Sequence, residues 1–176
     1  LRHYRAVADA SLVPVLLYDF PQSFGLTLPL PVIVALAGHP NVAGMKESSG
    51  DLAQIADQVT ATPERFEVVV GSAPTLYASL CVGVSGGVVA VANVVPEVCV
   101  RLYDLTRAGR HAEALALQRR LTPLARAVTA TYGVPGLKAA MTLAGYDGGL
   151  PRAPLTPCPP TVVAELRAML ETLVGE

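Results

Sequence analysis

The chain has 176 residues, of which 52% are hydrophobic and only 5% aromatic, and its formal net charge is −1. This length is enough for one domain with a hydrophobic core, while the balanced charge argues against a nucleic-acid partner, which would require a basic face. Asp, Arg, Pro or Gly interrupts each long apolar run, so the sequence predicts no transmembrane helix.

Apolar runs of strand length alternate with helical patterns from the start of the chain, an order typical of βαβ units and a parallel sheet. After the end of a helix, the sequence predicts four strands, at residues 13–18, 42–48, 66–70 and 87–91. Helices are predicted between and after them, at residues 29–37, from Asp51 onward, at 74–81 and at 97–108. The rest of the pattern is helical, at residues 110–130, 134–144 and 161–174.

This order predicts an α/β fold, the C-terminal half of a (β/α)8 TIM barrel at residues 1–109, followed by a three-helix extension at 110–176. A closed barrel needs eight strands, and half of one leaves two open sheet edges. The alternative is an open four-stranded sheet. However, the loop after the first strand has neither Gly-x-Gly-x-x-Gly nor a P-loop, and the chain begins in what resembles the middle of a helix.

Lys46, one of only two lysines, closes an apolar strand and is the leading candidate for chemistry. Catalytic side chains of a barrel lie at the carboxyl ends of its strands. Burial there would lower the pKa of the amine and yield the neutral form that attacks a carbonyl. Because side chains alternate along a strand, Ser48 is expected on the same side as Lys46, where its hydroxyl could hold a substrate carboxylate. The alternative is a lysine that reaches solvent beside Glu47.

The neighbouring strands supply weaker candidates. Tyr18 ends the first strand, where its phenol could relay protons or merely be a half-buried aromatic group. Ser72 follows the third strand, although Gly-Ser is also common in turns. Gly86, at the fourth strand, either admits substrate close to the backbone or relieves crowding. Lys138 falls inside a helical pattern and is interpreted as structural.

The cysteines and histidines do not have metal-ligand spacing, so the sequence predicts no metal site. Cys81 and Cys99 have apolar neighbours in the sequence, which predicts that both are small core residues. Unpaired thiols of this kind are typical of a reducing compartment, and we expect a cytoplasmic protein.

Four segments occur in an order that resembles one known family. They are a tyrosine motif at residues 17–21, a Schiff-base lysine motif at 39–51, an eighth-strand motif at 86–94, and a helical tail at 136–140 and 145–154. The lysine segment, His-Pro-Asn-Val-Ala-Gly-Met-Lys-Glu-Ser-Ser-Gly-Asp, is the most specific of them. The chain resembles the dihydrodipicolinate synthase / N-acetylneuraminate lyase family, the class I pyruvate-type aldolases.

The resemblance implies a lyase or aldolase in which Lys46 forms an imine with a 2-oxo acid, such as pyruvate, while Tyr18 relays protons. Ser48 and the backbone around Gly86 and Val88 would line the pocket. The imine acts as an electron sink, so that a neighbouring carbon–carbon bond breaks or forms through an enamine. The resemblance implies no metal and no organic cofactor.

Two departures from the family are informative. Ser23 stands five residues after the motif tyrosine, where synthases of the family usually carry an Arg, which weakens the resemblance to dihydrodipicolinate synthase. Gly44-Met45-Lys46 with Ser48, Gly71-Ser72-Ala73 and the helical tail more closely resemble 4-hydroxy-2-oxoglutarate aldolase, and dihydrodipicolinate synthase is the alternative. The family's first four strands, with a paired-hydroxyl loop that binds the pyruvate carboxylate, have no counterpart. We therefore expect the isolated chain to be inactive. Its expected partner is the missing N-terminal half-barrel or another copy in a homo-oligomer, and a non-catalytic remnant is the remaining hypothesis.

Overall fold

Four parallel strands, each paired with the next in chain order, form the centre of the first part of the protein. The structure is a computed structural model that describes residues 1–175. Its strands are β1 (Val15–Asp19), β2 (Val42–Glu47), β3 (Glu67–Val70) and β4 (Gly86–Gly87), and the sheet order is β1-β2-β3-β4. The predicted α/β fold with a parallel sheet is confirmed.

Helices separate these strands, as the alternating pattern predicts. They are α1 (Arg2–Ala10), α2 (Pro21–Phe24), α3 (Leu30–Ala37), α4 (Leu52–Ala61) and α5 (Leu76–Cys81), with a 3₁₀ turn at Ala73–Thr75 before the last of them. The start of α4 has a clear cause in the sequence. Asp51 is its N-cap, and its Oδ1 accepts hydrogen bonds from the backbone N–H groups of Ala53 and Gln54 at 2.9 and 3.2 Å.

One face of the sheet is covered and the other is open. Along β1, Leu17 and Asp19 are buried, whereas Leu16 and Tyr18, which alternate with them, are 56% and 39% exposed. Met45 and Glu47 on β2 are fully buried on the covered face. This alternation follows from the two-residue period of a strand, and it leaves the other face available for a site.

The fourth strand is shorter than predicted. Only Gly86–Gly87 pairs with β3, and a 3₁₀ turn covers Ala90–Asn93, whereas the apolar run predicts a strand through residue 91. The reason is the length of the partner. The strand β3 ends at Val70, whose carbonyl accepts the N–H of Val88, so the following residues have no ladder to join.

The chain divides into two compact units, Leu1–Val88 and a second one that begins at Val89. The second unit contains α6 (Pro96–Arg107), α7 (His111–Arg126), a π-helical turn (Ala127–Thr131), α8 (Gly133–Leu143) and α9 (Pro160–Val174). The boundary predicted after residue 109 lies inside this unit, between α6 and α7. No helix among residues 1–175 is both long enough and apolar enough to cross a membrane.

The cysteines differ from the prediction in one position. Cys81, expected in the core, is exposed because it is the last residue of α5, next to the partly exposed Val82. Cys99 on α6 is buried as expected, and burial raises the pKa of its thiol to about 11.

Candidate active site

One row of residues crosses the open face of the sheet at the carboxyl ends of the strands. The strand register pairs Tyr18 with Lys46, Lys46 with Val69, and Val69 with Gly86. Because register partners in a sheet point to the same side, the pairing brings together three of the residues that the sequence predicts. The strand order, rather than distance along the chain, makes them neighbours.

Lys46 and Tyr18 are in direct contact. The Lys46 Nζ lies 4.7 Å from the centroid of the Tyr18 ring, a cation–π distance. Lys46 is half-buried rather than enclosed, and Tyr18 is partly exposed, so both are open to a small molecule from the same side. An amine beside a phenol, with room for a carbonyl compound next to it, can undergo imine chemistry with local proton transfer.

An aromatic cluster of Tyr18, Phe20 and Phe24 borders this amine. The Tyr18 ring stacks on Phe20 at 5.7 Å between centroids and meets Phe24 edge-on at 5.8 Å. Helix α2, which contains Phe24 and Ser23, is tied to the end of β2 because Gln22 Nε2 donates to the Ser49 carbonyl at 2.8 Å. The rim next to Tyr18 is therefore aromatic and uncharged.

Ser48 lies on the same side as Lys46, and Gly71 makes room for both. A Cβ at Gly71 would stand 2.0 Å from Ser48 Oγ and 2.9 Å from Lys46 Cε, so a side chain there is excluded. Ser48 Oγ is buried and has no hydrogen-bond partner among the described residues. The sequence patterns do not single out Gly71. Its only signal is its place directly after β3, two residues beyond Val69 on the same face.

Ser72 lies beside the turn after β2. It stands two residues beyond the end of β3, and its Oγ is 3.3 Å from the position of a Cβ at Gly50. Its carbonyl accepts hydrogen bonds from the backbone and side chain of Thr75. Its role at the site stays a prediction.

Gly86 and Val88 form the far end of the row. No described heavy atom lies within 4 Å of the position that a Cβ of Gly86 would take, so space is open beside it. Val88 is 58% exposed, and its N–H donates to the Val70 carbonyl at 2.8 Å. The side of the site opposite to Tyr18 is thus an uncharged, exposed surface that a small substrate could approach.

Two carboxyl groups that the sequence patterns do not identify lie behind this row. Asp19 and Glu47 are register partners directly after Tyr18 and Lys46, and they are 1% and 0% exposed. Burial raises the pKa of Asp19, although hydrogen bonds from Leu28 and Gln54 lower it. Burial also raises the pKa of Glu47, against the lowering effect of hydrogen bonds from Ser49 and Gly50, and the charge of Asp19 raises it further.

No group of three or more His, Cys, Asp or Glu side chains in residues 1–175 is arranged to hold a metal ion. The Tyr18 ring lies beside the amine, and the Ser48 hydroxyl and Lys46 Cε both lie close to Gly71.

Comparison with known proteins identifies the family. The model of the dihydrodipicolinate synthetase family matches residues 1–173. A 4-hydroxy-tetrahydrodipicolinate synthase of Exiguobacterium sp. is 33% identical over 171 residues, which are 97% of this chain and 58% of that protein. A probable mitochondrial 4-hydroxy-2-oxoglutarate aldolase of Emericella nidulans is 41% identical over 119 residues, 67% of this chain and 38% of that protein.

The fold agrees with this match. A crystal structure of a putative dihydrodipicolinate synthase from Thermus thermophilus superposes with a TM-score of 0.86 at 41% identity, covering 99% of this chain and 59% of that one. The 176 residues thus span somewhat more than half the length of the relatives that they match. With the resemblance of its motifs confirmed by sequence and by fold, this chain belongs to the dihydrodipicolinate synthetase family.

Proposed function

We propose that this chain supplies the imine-forming part of a lyase that acts on pyruvate or a related 2-oxo acid. The contact between the Lys46 amine and the Tyr18 ring is the observation that supports this function best. In the proposed reaction Lys46 Nζ attacks the ketone carbon to give a carbinolamine, and Tyr18 relays the protons as water leaves and the imine forms.

Cleavage follows from the imine. For a 4-hydroxy-2-oxo acid, the bond between C3 and C4 breaks, its electrons enter the imine as an enamine, and the C4 hydroxyl loses its proton to become an aldehyde. Protonation of the enamine and hydrolysis then release pyruvate and the free lysine. Ser48, Gly86 and Val88 would line the pocket in which this occurs. Ser48 Oγ is buried in the structure, so contact with a substrate would require its neighbours to move.

The sheet supports a half-barrel architecture. The outer strands β1 and β4 each have a single partner strand among the described residues, and the face that contains Lys46 is open. We propose that strands from residues outside these 176 complete a (β/α)8 barrel, either in the same polypeptide or in another chain, and that α7, α8 and α9 form the helical extension. Such strands would also supply the carboxylate-binding hydroxyls, so we expect no turnover by the 176 residues alone.

Condensation of pyruvate with an aldehyde is the second candidate. The name of the Exiguobacterium relative favours it, whereas Ser23, in place of the Arg that synthases of the family usually carry, favours cleavage of 4-hydroxy-2-oxoglutarate. Both candidates use the same imine and differ in the carbonyl partner.

Complementation tests the function. The chain is co-expressed with the N-terminal portion of the Thermus thermophilus relative, and co-purification confirms that the two assemble. We expect the assembly to release pyruvate from 4-hydroxy-2-oxoglutarate, and Tyr18→Phe to slow this release by roughly 10²-fold or more, with Tyr4→Phe on α1 as the control. An assembled complex that condenses pyruvate with an aldehyde but does not cleave would favour the synthase, and one that does neither would reject both candidates.

A further inference from the structure

Asp19 and Glu47 form a pair of carboxyl groups behind the amine, on the face of the sheet that the helices cover. They lie opposite each other in the register of β1 and β2, one residue beyond Tyr18 and Lys46. Neither of them takes part in an ion pair within the part of the chain that the structure describes. Two buried carboxylates without a cation cannot both be charged without a large desolvation cost, and protonation of one of them lowers that cost.

The hydrogen-bond donors distinguish the two groups. Asp19 Oδ1 accepts from the Leu28 N–H at 3.2 Å and Oδ2 accepts from Gln54 Nε2 at 3.3 Å, so both of its oxygens have donors. In Glu47, Oε1 accepts from the Ser49 N–H at 2.8 Å, and the Ser49 hydroxyl and the Gly50 N–H also favour the charged form of this carboxyl. Oε2, however, is buried and makes no hydrogen bond within residues 1–175. A buried carboxylate with no donor on one oxygen carries a larger desolvation cost when it is charged than when it is neutral. This cost falls on Glu47 rather than on Asp19, so we assign the proton to Glu47.

The other ionisable groups nearby do not compensate the pair. Helix α3 has no ionisable side chain, and α4 contains only the exposed Asp57. Asp51, the N-cap of α4, accepts hydrogen bonds from the N–H groups of that helix. On β3 the one ionisable residue is Glu67, exposed at the opposite end of the strand. Tyr77 and Cys81 on α5 are hydrogen-bonded to each other.

The backbone links the pair to the site. The Asp19 carbonyl accepts the Ser48 N–H at 2.9 Å, and the Glu47 carbonyl accepts the Gly71 N–H at 2.7 Å. The buried side chains of Asp19 and Glu47 therefore help to fix the ends of their strands. Tyr18, Lys46 and Gly71 face the open side of the sheet from these ends.

We propose that Asp19 and Glu47 are a positioning pair with a single negative charge, in which Asp19 is ionised and Glu47 is protonated. The proposal rests on the proposed function of Lys46 and deepens it. The protonated Glu47 holds the end of β2 without adding a second anion behind the sheet, where its charge would favour the ammonium form of Lys46, which cannot attack a ketone.

The charge state is tested first, because this measurement does not depend on pyruvate. Side-chain carboxyl resonances of the whole chain, labelled with ¹³C, are followed against pH in the wild type, in Glu47→Gln and in Glu67→Gln. We expect one glutamate carboxyl to stay protonated above the ordinary glutamate pKa of 4.5, and its resonance to disappear in Glu47→Gln but not in Glu67→Gln. A Glu47 carboxyl that ionises at or below this ordinary value overturns the proposal.

The positioning role is tested by the rate and the pH midpoint of pyruvate trapping with borohydride. We expect Glu47→Ala to slow adduct formation about tenfold and Glu47→Gln to restore the rate to within about twofold. Asp19→Asn removes the anion and should move the midpoint to lower pH, whereas Glu47→Gln should not. Equal rates for the Gln and Ala variants, or a midpoint shift in Glu47→Gln, contradict the proposal. If the wild type forms no adduct, the function proposed for Lys46 fails, and the carboxyl titration still decides the charge state of Glu47.

Discussion

At the scale of single residues, the site depends on what each strand end presents and on what it leaves empty. Lys46 and Tyr18 are recognisable in the sequence because an ionisable group that closes an apolar strand is unusual. Gly71 is not recognisable, since its contribution is the absence of a side chain beside Lys46 Cε and Ser48 Oγ. Ser72, the next residue, lies beside the turn at Gly50.

A pair of glycine substitutions tests this interpretation. In Gly71→Ala the new methyl group would collide with Ser48 Oγ and displace Lys46, so we expect a loss of about 1–3 kcal/mol in the free energy of unfolding. Gly86→Ala is the matched control, because its methyl group enters open space and should leave stability nearly unchanged. Urea denaturation of both variants measures the difference, and equal stabilities would contradict the close packing at Gly71.

At the scale of elements, the pairing of β1 with β2 sets a pH dependence. Burial raises the folded-state pKa values of Asp19 and Glu47 above their ordinary 3.8 and 4.5, so over the range between ordinary and raised values the folded chain binds more protons than the unfolded chain. The stability that these groups contribute is complete below the ordinary values and is lost as pH rises through the raised ones.

Glu47→Gln should reduce this dependence, because an amide does not titrate. We expect the variant to lose less free energy of unfolding than the wild type between about pH 4 and about pH 7, whereas Glu67→Gln, on the exposed end of β3, should behave as the wild type does. Thermal or urea unfolding at several pH values provides the comparison. A variant with the wild-type slope would show that Glu47 ionises normally in the folded chain.

The elements also show how far sequence reasoning extends. Apolar alternation and caps such as Asp51 predict the order of helices and strands, because those signals are local. The length of β4 depends on where β3 ends, and the opposition of Asp19 and Glu47 depends on register. Both properties arise between strands, so neither can be read from one segment. The exposure of Cys81 likewise depends on how α5 ends.

At the scale of the whole molecule, the open face is the dominant feature. It presents Tyr18, Lys46 and Val88 on a surface with apolar groups exposed, which we expect further strands to cover. The family match spans almost the whole chain but little more than half of its relatives. We expect capture of a 2-oxo acid by Lys46 to need only this sheet, and therefore to be separable from turnover, which we propose needs the residues that complete the site.

Borohydride reduction in the presence of pyruvate, followed by peptide mapping, tests this capture most directly, because the chain has only two lysines. We predict a reduced pyruvate adduct on Lys46 in the wild type and in Lys138→Arg, and none in Lys46→Arg. Lys138, whose Nζ donates to the Gly148 carbonyl at 2.7 Å, should stay unmodified throughout. An unmodified Lys46, or an adduct that persists on Lys138 in Lys46→Arg, would contradict the assignment of Lys46 as the imine-forming residue.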